Sequence, residues 1–355
     1  MGVFSSADLI GHTHVLYGAD DASGLRAIIA IHSTALGPAL GGTRFYPYES
    51  DAEALSDVLR LSRGMTLKNA VAGLDLGGGK AVIIGDPRQI KTERLLRAYG
   101  RIIDSLGGLF VTAEDVGTTT VDMAIIRRET KWVAGQAAIE GGSGDPSPLT
   151  ALGLFSSLQA VAEHLWGKPD LRDKSVAIQG VGKVGYHYAK LLTEAGARVF
   201  VTDVWQPAVD RVVADFGVEP ISGDQLLTLE VDILSPCALG AVLDEETIPQ
   251  LNCKAIVGSA NNQLASDKDA ERLDDRGILY APDFVVNAGG VINVAEELRG
   301  YQGERAEARV RELQSRTKEI LAVAAERQVT PHDAAVELAL QRIQEIGGLG
   351  LIRRP

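Results

Sequence analysis

The C-terminal part of the chain alternates short apolar runs with helix-length segments. Five such runs, rich in β-branched residues, predict strands at residues 174–180, 197–203, 231–235, 255–258 and 278–281. The segment after the first run, as far as Ala195, has a helical pattern. Strands that alternate with helices indicate a parallel, doubly wound sheet, so an α/β fold is expected here.

The N-terminal part combines both kinds of pattern. Residues 26–33 and 42–46 predict strands, and Ser50 and Glu53 have the spacing of a capping box at a helix start. The apolar positions of that helix recur at helical intervals, at Ala54, Leu55, Val58, Leu61 and Met65. Lys68 continues the stripe, and a lysine on a buried face is costly unless it is paired. Lys68 is therefore expected to meet a partner or a ligand.

A cluster of Gly, Ser, Asp and Pro at residues 141–148 cannot continue a helix or a central strand. With 355 residues, the chain also exceeds the usual size of a single core. We therefore expect two domains, at residues 1–140 and 141–329. Thr330, Pro331 and Asp333 have the pattern of a helix start, and the last helix, within residues 330–355, is expected to return to the first domain.

A G-x-G-x-x-G motif follows the first predicted strand of the second domain. Its glycines are Gly180, Gly182 and Gly185, and Asp203 closes the next strand. In dinucleotide-binding units such glycines permit a tight turn, backbone approach to a pyrophosphate, and close helix packing, while the acidic residue binds a ribose. No Arg or Lys directly follows Asp203, which favours NAD over NADP. The motif predicts a Rossmann-type domain; the alternative is a glycine turn that binds nothing.

Three adjacent glycines at residues 77–79 precede Lys80, which opens an apolar strand at residues 81–84. Because glycine loses the most backbone entropy on folding, such a run suggests close approach of another group to the backbone. A flexible turn with a surface lysine is the alternative.

The segment at residues 110–118 contains a short predicted strand that ends in Glu114 and Asp115. The ends of strands are where α/β proteins usually place catalytic groups. An acidic pair at this position is alternatively a helix cap.

Charge and composition narrow the partners. A net charge of −12 and a pI near 5.1 disfavour nucleic acid and anionic membranes. Cys237 and Cys253 are too few for a disulfide framework, and the six histidines lack metal-ligand spacing, so no metal is expected. The N-terminus lacks the pattern of a secretory signal, and no apolar run is long enough to span a bilayer. A cytoplasmic protein with a small-molecule substrate is expected.

Eight distinctive segments occur in a characteristic order. They are LGPALGGTRF (36–45), GMTLKNA (64–70), GGGKAV (77–82), TAEDVGT (112–118), GDPSPLTA (144–151), GVGKVG (180–185), SANNQLA (259–265) and ILYAPDFVVNAGGVI (278–292). Together they resemble the glutamate/leucine/phenylalanine/valine dehydrogenase family, and most closely its leucine and valine branch. Ser259 departs from the family pattern, where Ala or Gly is usual, and only a local effect is expected.

The resemblance implies an NAD-dependent amino-acid dehydrogenase with a substrate-binding and oligomerisation domain, a Rossmann-type domain and a cleft between them. It implies that Lys80 is the catalytic base, that Asp115 transfers protons, and that Lys68 binds the substrate carboxylate. It assigns further substrate contacts to Leu40, Gly41, Gly42, Met65, Ala113, Asn262, Val291 and Val294. Cofactor contacts are expected at Gly180, Val181, Gly182, Lys183, Val184, Gly185, Asp203, Thr150, Cys237, Ala238, Ala260 and Asn261.

The resemblance also bears on the substrate and on the assembly. The apolar residues Leu40, Val291 and Val294 would leave the γ-carboxylate of glutamate unpaired, so a branched-chain amino acid (Leu, Val or Ile) and its 2-oxo acid are favoured. Phenylalanine or another large amino acid is the alternative within this chemistry. A catalytically silent NAD-binding sensor is the alternative from another class, although it would have no reason to retain all three charged residues. A homo-oligomer is expected.

Overall fold

The computed structural model describes residues 11–238, 240 and 242–349, which fall into two compact units. The first unit contains the residues up to Asp145, Val294–Gly303 and the residues from Ala339 onward. The second contains Pro146–Asn293 and Glu304–Leu338. Within the described residues, we find no helix that is both long enough and apolar enough to cross a membrane.

In chain order, the elements before residue 146 are β1 (His14–Asp20), β2 (Leu25–Ser33), β3 (Ala39–Tyr46), α1 (Asp51–Val71), β4 (Gly77–Ile84), α2 (Pro87–Ile90), α3 (Glu93–Ser105), β5 (Phe110–Glu114) and α4 (Thr120–Arg127). They are followed by α5 (Ser147–Trp166), β6 (Ser175–Gln179), α6 (Lys183–Glu194), β7 (Arg198–Thr202), α7 (Gln206–Phe216), β8 (Glu219–Pro220), β9 (Val231–Pro236), β10 (Cys253–Ile256), α8 (Lys268–Asp275), β11 (Leu279–Tyr280), α9 (Asp283–Val286), α10 (Gly289–Glu296), α11 (Gly303–Arg311), α12 (Leu313–Arg327) and α13 (Pro331–Gly347).

The first unit is built on a five-stranded mixed sheet in the order β1-β2-β4-β3-β5. Strands β1, β2 and β4 pair antiparallel, whereas β3 pairs parallel with both β4 and β5. One face packs on Ala54, Val58 and Leu59 of α1, and the other packs on α3 and α4. The strands predicted at residues 26–33 and 42–46 are confirmed, and β3 begins earlier than expected, at Ala39.

The glycine run at residues 77–79 lies inside β4 and is not a turn, so the predicted start of this strand at residue 81 is wrong. Strand β4 is paired on both sides, by β2 and by β3. A Cβ at Gly77 would lie 1.9 Å from the Ser33 carbonyl oxygen, and one at Gly78 would lie 2.1 Å from the Thr66 nitrogen. The glycines therefore let a neighbouring strand and helix α1 approach the centre of the sheet.

Helix α1 begins after Ser50, whose side chain accepts the Glu53 N–H as predicted. Its buried face differs from the predicted stripe, because Leu61, Met65 and Lys68 are only half-buried. The positions that face the sheet instead carry three buried polar residues, Ser62, Thr66 and Asn69. An apolar-only pattern cannot identify such a face.

Hydrogen bonds explain why polar residues occupy that face. The Asn69 amide donates to the Gly77 carbonyl at 2.6 Å and to the Leu40 carbonyl at 3.3 Å. Thr66 Oγ1 lies 2.9 Å from Nδ1 of His32. Because buried polar groups are tolerated when they are bonded, these contacts hold α1 directly on the glycine-rich strand.

The second unit is built on a six-stranded parallel sheet in the order β11-β10-β9-β6-β7-β8. Counted from β6, this is the strand order of a Rossmann-type sheet, whose ligands bind where the strand order reverses. All five strands predicted here are confirmed, with ends that shift by a few residues. The strand order changes direction between β6 and β9, and the glycine motif begins directly after β6.

The segment at residues 141–148 contains the boundary between the units, although Ser147 and Pro148 already belong to α5. Proline is favoured in the first helical turn, where its missing N–H costs nothing. The last helix begins at Pro331, and Thr330 caps it by accepting the Asp333 N–H. Of the predicted helical segment, residues 350–355 lie outside the described residues.

The half-buried His32 should make the first unit sensitive to acid. Burial, followed by the charges of His12 and Arg63, lowers the pKa of His32 to about 4. In the unfolded chain His32 takes up a proton below about pH 6.5, whereas in the folded unit it does so only near pH 4. The free energy of unfolding therefore falls as the pH drops from about 6.5 to about 4. We expect His32→Gln to reduce the drop in urea midpoint between pH 7 and pH 4.5. The exposed His14→Gln should behave as wild type, and an unchanged drop in His32→Gln would reject this explanation.

Candidate active site

Lys80 and Asp115 form a buried ion pair in the first unit. Lys80 lies within β4 with only 7% of its surface exposed, and its Nζ donates to Asp115 Oδ2. Asp115 directly follows β5, as the sequence predicts. The structure thus brings together the two residues expected to perform acid–base chemistry.

Strand β3 lies between β4 and β5, so the two side chains must meet across it. Gly42 opposes Ala113 in the ladder, and a Cβ there would lie 2.9 Å from Asp115 Cβ. Alternate residues of a strand point to the same face of a sheet. Leu40 pairs with Gly78 in the parallel ladder, so Gly42 and Lys80, each two residues further along, lie on one face. The missing side chain at Gly42 is what leaves space for the ion pair.

A turn after β5 fixes the backbone of Asp115. The Asp115 N–H donates to Thr118 Oγ1 at 2.9 Å, and Thr118 Oγ1 in turn donates to the Thr43 carbonyl at 2.9 Å. Gly117 has a φ of +81°, and a Cβ there would lie 2.0 Å from the Phe45 carbonyl oxygen. The acidic pair thus ends a strand at a tight turn anchored on β3, and the alternative role of a helix cap does not describe it.

Arg44 is the second cation near Asp115. Its Nε lies 3.8 Å from Asp115 Oδ1, and its Nη1 donates to Asp57 Oδ2 at 2.8 Å. Burial alone would raise the pKa of the Asp115 carboxyl, but Lys80 and Arg44 outweigh it and hold that pKa below its ordinary value. Asp115 is therefore ionised at neutral pH.

The other predicted substrate residues of the first unit lie on β3, β5, α1 and the end of α10. Leu40 and Ala113 are buried apolar residues on the face that carries Lys80. Gly41 is required by packing, since a Cβ there would lie 1.8 Å from the Gly79 carbonyl oxygen. Met65 and Lys68 are half-buried on α1, and Val294 is buried.

The second unit carries the glycine motif at the carboxyl end of β6. Gly180 has a φ of +95°, which suits glycine, and a Cβ at Gly185 would lie 2.1 Å from the Gly180 carbonyl oxygen. A Cβ at Gly182 would meet nothing within 4 Å, and no side chain caps α6, which starts after Gly182. The loop therefore leaves open space at an uncapped helix N-terminus, which fits a dinucleotide pyrophosphate.

Three other strands of the second unit bring predicted cofactor residues to the same edge. Asp203, after β7, accepts the Val181 N–H at 2.8 Å. After β9, the Cys237 N–H donates to the Gln179 carbonyl at 2.7 Å, and Ala238 lies against Gly180. Past the end of β10, the Ala260 N–H donates to the Pro236 carbonyl at 2.9 Å. Burial raises the pKa of the Cys237 thiol, so it stays protonated at neutral pH.

The remaining predicted residues of the second unit lie on four separate segments. Asn261 is exposed, and its Oδ1 accepts from Asn287 Nδ2 at 2.9 Å, whereas the exposed Asn262 has a φ of +53°. Thr150 Oγ1 donates to the Pro146 carbonyl at 2.9 Å, and Val291 is half-buried on α10. Lys183 and Val184 begin α6.

Sequence analysis missed two polar residues of these sites. Arg44 belongs to a segment that carries the family resemblance, but it received no role. Its position two residues after Gly42 on a strand places it on the same face, which would have been a usable clue. Asn287 also belongs to such a segment, at residues 278–292, but its contact with Asn261 depends on the fold.

Comparisons with known proteins agree with this architecture. Residues 12–132 match a family model described as Glu/Leu/Phe/Val dehydrogenase, dimerisation domain, and residues 141–204 and 205–347 match Glutamate/Leucine/Phenylalanine/Valine dehydrogenase. The chain is 53% identical over 342 residues to a valine dehydrogenase of Streptomyces coelicolor, covering 96% of this chain and 94% of the relative. It is 48% identical over 344 residues to a leucine dehydrogenase of Geobacillus stearothermophilus, covering 97% and 94%.

Among solved structures, the L-tryptophan dehydrogenase of Nostoc punctiforme is similar, with a TM-score of 0.85 and 43% identity over 95% of this chain and 97% of that one. A hetero-hexameric glutamate dehydrogenase of Thermus thermophilus has a TM-score of 0.77 and 25% identity, over 96% of this chain and 89% of that chain.

The packing around Gly42 predicts a large effect of a small substitution. In Gly42→Ala the new Cβ would lie 2.5 Å from the Glu114 carbonyl oxygen, so β3 and β5 must separate. We expect a loss of about 1–3 kcal/mol in the free energy of unfolding, measured with urea. Gly64→Ala is the control, because Gly64 lies in α1 with open space around it and alanine favours helix. Equal unfolding of Gly42→Ala and wild type would contradict this account.

Proposed function

Because the chain belongs to the Glu/Leu/Phe/Val dehydrogenase family, we propose that it catalyses the reversible, NAD-dependent oxidative deamination of a branched-chain L-amino acid to the 2-oxo acid and ammonia. The observation that carries the proposal is the buried pair of Lys80 and Asp115. The valine and leucine dehydrogenases that the chain resembles over nearly its full length support the substrate class. A silent NAD-binding sensor would have no use for the buried charges.

The ion pair provides for two proton transfers. Lys80, as the free amine, takes a proton from the water that attacks the oxidised carbon, and Asp115 passes this proton on to the amino nitrogen. The C–N bond then breaks, ammonia leaves, and the remaining hydroxyl proton of the intermediate returns to Lys80 as the carbonyl of the 2-oxo acid forms. NAD, when bound, supplies the hydride acceptor. We propose that Lys68 binds the substrate carboxylate.

The apolar side chains near Lys80 support a branched-chain substrate. Leu40 is 1% exposed and Ala113 is 8% exposed, and both share the face of the sheet that carries Lys80. A substrate carboxylate placed against these side chains would lose its hydration without gaining a partner. Val and Leu differ by one methylene, which a hydrophobic pocket distinguishes by only about 1–3 kcal/mol.

The end of β7 supports NAD as the cofactor. Asp203 remains able to accept ribose hydroxyls, since each carboxylate oxygen has further acceptor capacity beyond its one backbone bond. Val204 and Trp205, which follow, are exposed and uncharged, so they offer no clamp for the 2′-phosphate of NADP. We also infer that the first unit carries a self-association surface, as the description of the matching family model suggests.

The direct test of the proposed function is a reductive amination assay. The purified protein is mixed with ammonium and either NADH or NADPH, and 2-oxoisovalerate, 2-oxoisocaproate, phenylpyruvate, indolepyruvate and 2-oxoglutarate are compared. We expect ammonium-dependent loss of NADH absorbance to be fastest with the two branched acids and much slower with NADPH. Preference for an aromatic acid would overturn the substrate class, and binding of NADH without turnover would favour the sensor.

A substitution of Lys80 tests its proposed role. In Lys80→Ala we expect kcat to fall by about 10²–10⁴-fold, because the general base is lost, while NADH binding measured by fluorescence is unchanged. Lys190→Ala removes an exposed lysine of α6 and should match wild type. Substantial turnover by a folded Lys80→Ala protein would show that another group is the base.

A further inference from the structure

Arg44 is a charged residue in the first unit for which the reaction has so far given no role. It lies on β3 two residues after Gly42, and its side chain is mostly buried, with 24% exposed. Burying a guanidinium is costly unless anions pair with it, and two carboxylates do so here. The inference below rests on the proposed function of the Lys80–Asp115 pair.

The two oxygens of Asp115 have different partners. Oδ2 accepts from Lys80, while Oδ1 accepts the Val116 N–H at 2.5 Å and faces Arg44 Nε at 3.8 Å. That Nε is buried and has no hydrogen-bond partner among the described residues. A buried donor without a partner is costly, so the geometry favours a small approach to Oδ1 that completes the bond.

Arg44 is itself held from behind. Asp57 of α1 accepts from Arg44 Nη1 at 2.8 Å and from the Tyr48 hydroxyl at 2.7 Å. The exposed Arg60 also pairs with Asp57, through the other carboxylate oxygen at 3.1 Å. A guanidinium can serve two carboxylates at once through its fork of donors, which a lysine cannot do with the same geometry.

We propose that Arg44 is the positioning residue that holds Asp115 with its Oδ2 oxygen on Lys80 for the deamination reaction. Arg44 does not touch the reacting atoms in this proposal. It acts through Asp115, and Asp57 with Tyr48 keeps it in place. Arg44 thereby fixes which oxygen of the acid meets the base.

The charges that face Asp115 determine the sign of the pH effect. Lys80 faces it from β4 and Arg44 from β3, with Asp57 and Tyr48 beyond Arg44. These two cations hold the pKa of Asp115 down against the effect of burial. Loss of Arg44 removes one of these cations, so Asp115 should become protonated at a higher pH. The acid limb of the rate profile should therefore move to higher pH.

The test is the pH profile of kcat and kcat/KM for Arg44→Met, with the amino acid that the wild type uses best. We expect the acid limb to rise by about one pH unit, kcat at the optimum to fall about 10-fold, and KM for the amino acid to change by less than about 3-fold. In Arg44→Lys the acid limb should shift by less than in Arg44→Met, because lysine returns the positive charge but not the second donor of the guanidinium. Arg60→Met is the matched control, since it removes a cation from Asp57 that does not face Asp115, and its profile should match wild type.

Three outcomes would overturn the proposal. They are an unshifted acid limb in folded Arg44→Met, an equal shift in Arg60→Met, and a change confined to KM. If Arg44→Met does not fold, the profile of Arg44→Lys decides, since any loss of the fork should still raise its acid limb. If the wild type shows no ammonium-dependent turnover, the proposed function fails separately. The Arg44 proposal is then decided by ¹³C NMR titration of the Asp115 carboxyl in wild type and the variant, where equal titration curves reject it.

Discussion

The ion pair between Lys80 and Asp115 is the interaction on which the first unit's site depends. A charge away from water is tolerated only with a partner, and removing one member of such a buried pair typically costs about 3–5 kcal/mol. Both side chains are mostly buried; Lys80 belongs to β4 and Asp115 directly follows β5, and β3 lies between these two strands. Their contact therefore requires both a close-packed sheet and an open path across β3.

Glycines provide both conditions. Gly42 leaves the path open, while Gly77, Gly78 and Gly79 let a strand, helix α1 and the Phe110 ring approach β4 more closely than a Cβ would permit. The polar residues of α1 that face the sheet, among them Asn69, then bond the backbone of this region. The same backbone that is costly in conformational entropy thus gives the precision with which two opposite charges are held.

The candidate cofactor site of the second unit depends on the topology of its parallel sheet. Its parallel strands end at one edge, where the strand order changes direction between β6 and β9. Gly180, the uncapped start of α6 and Asp203 meet there because of sheet topology, and local hydrogen bonds then fix each loop. Backbone donors and a single carboxylate are enough for a dinucleotide, so the unit needs no buried ion pair to prepare this edge.

The sequence by itself determined the strands of the parallel sheet and the glycine motif with Asp203, because these features depend on local pattern. The chemistry expected of Lys80 and Asp115 followed from the family resemblance of the segments around them, since spacing alone left a surface lysine and a helix cap as alternatives. Tertiary structure alone decided that the glycine run lies inside β4, that α1 presents Ser62, Thr66 and Asn69 to the sheet, and that Arg44 faces Asp115. Each of these depends on contacts between segments that are distant in the sequence. A one-dimensional pattern of apolar residues encodes neither the order of strands in a sheet nor the hydrogen bonds between distant segments that decide where polar residues are buried.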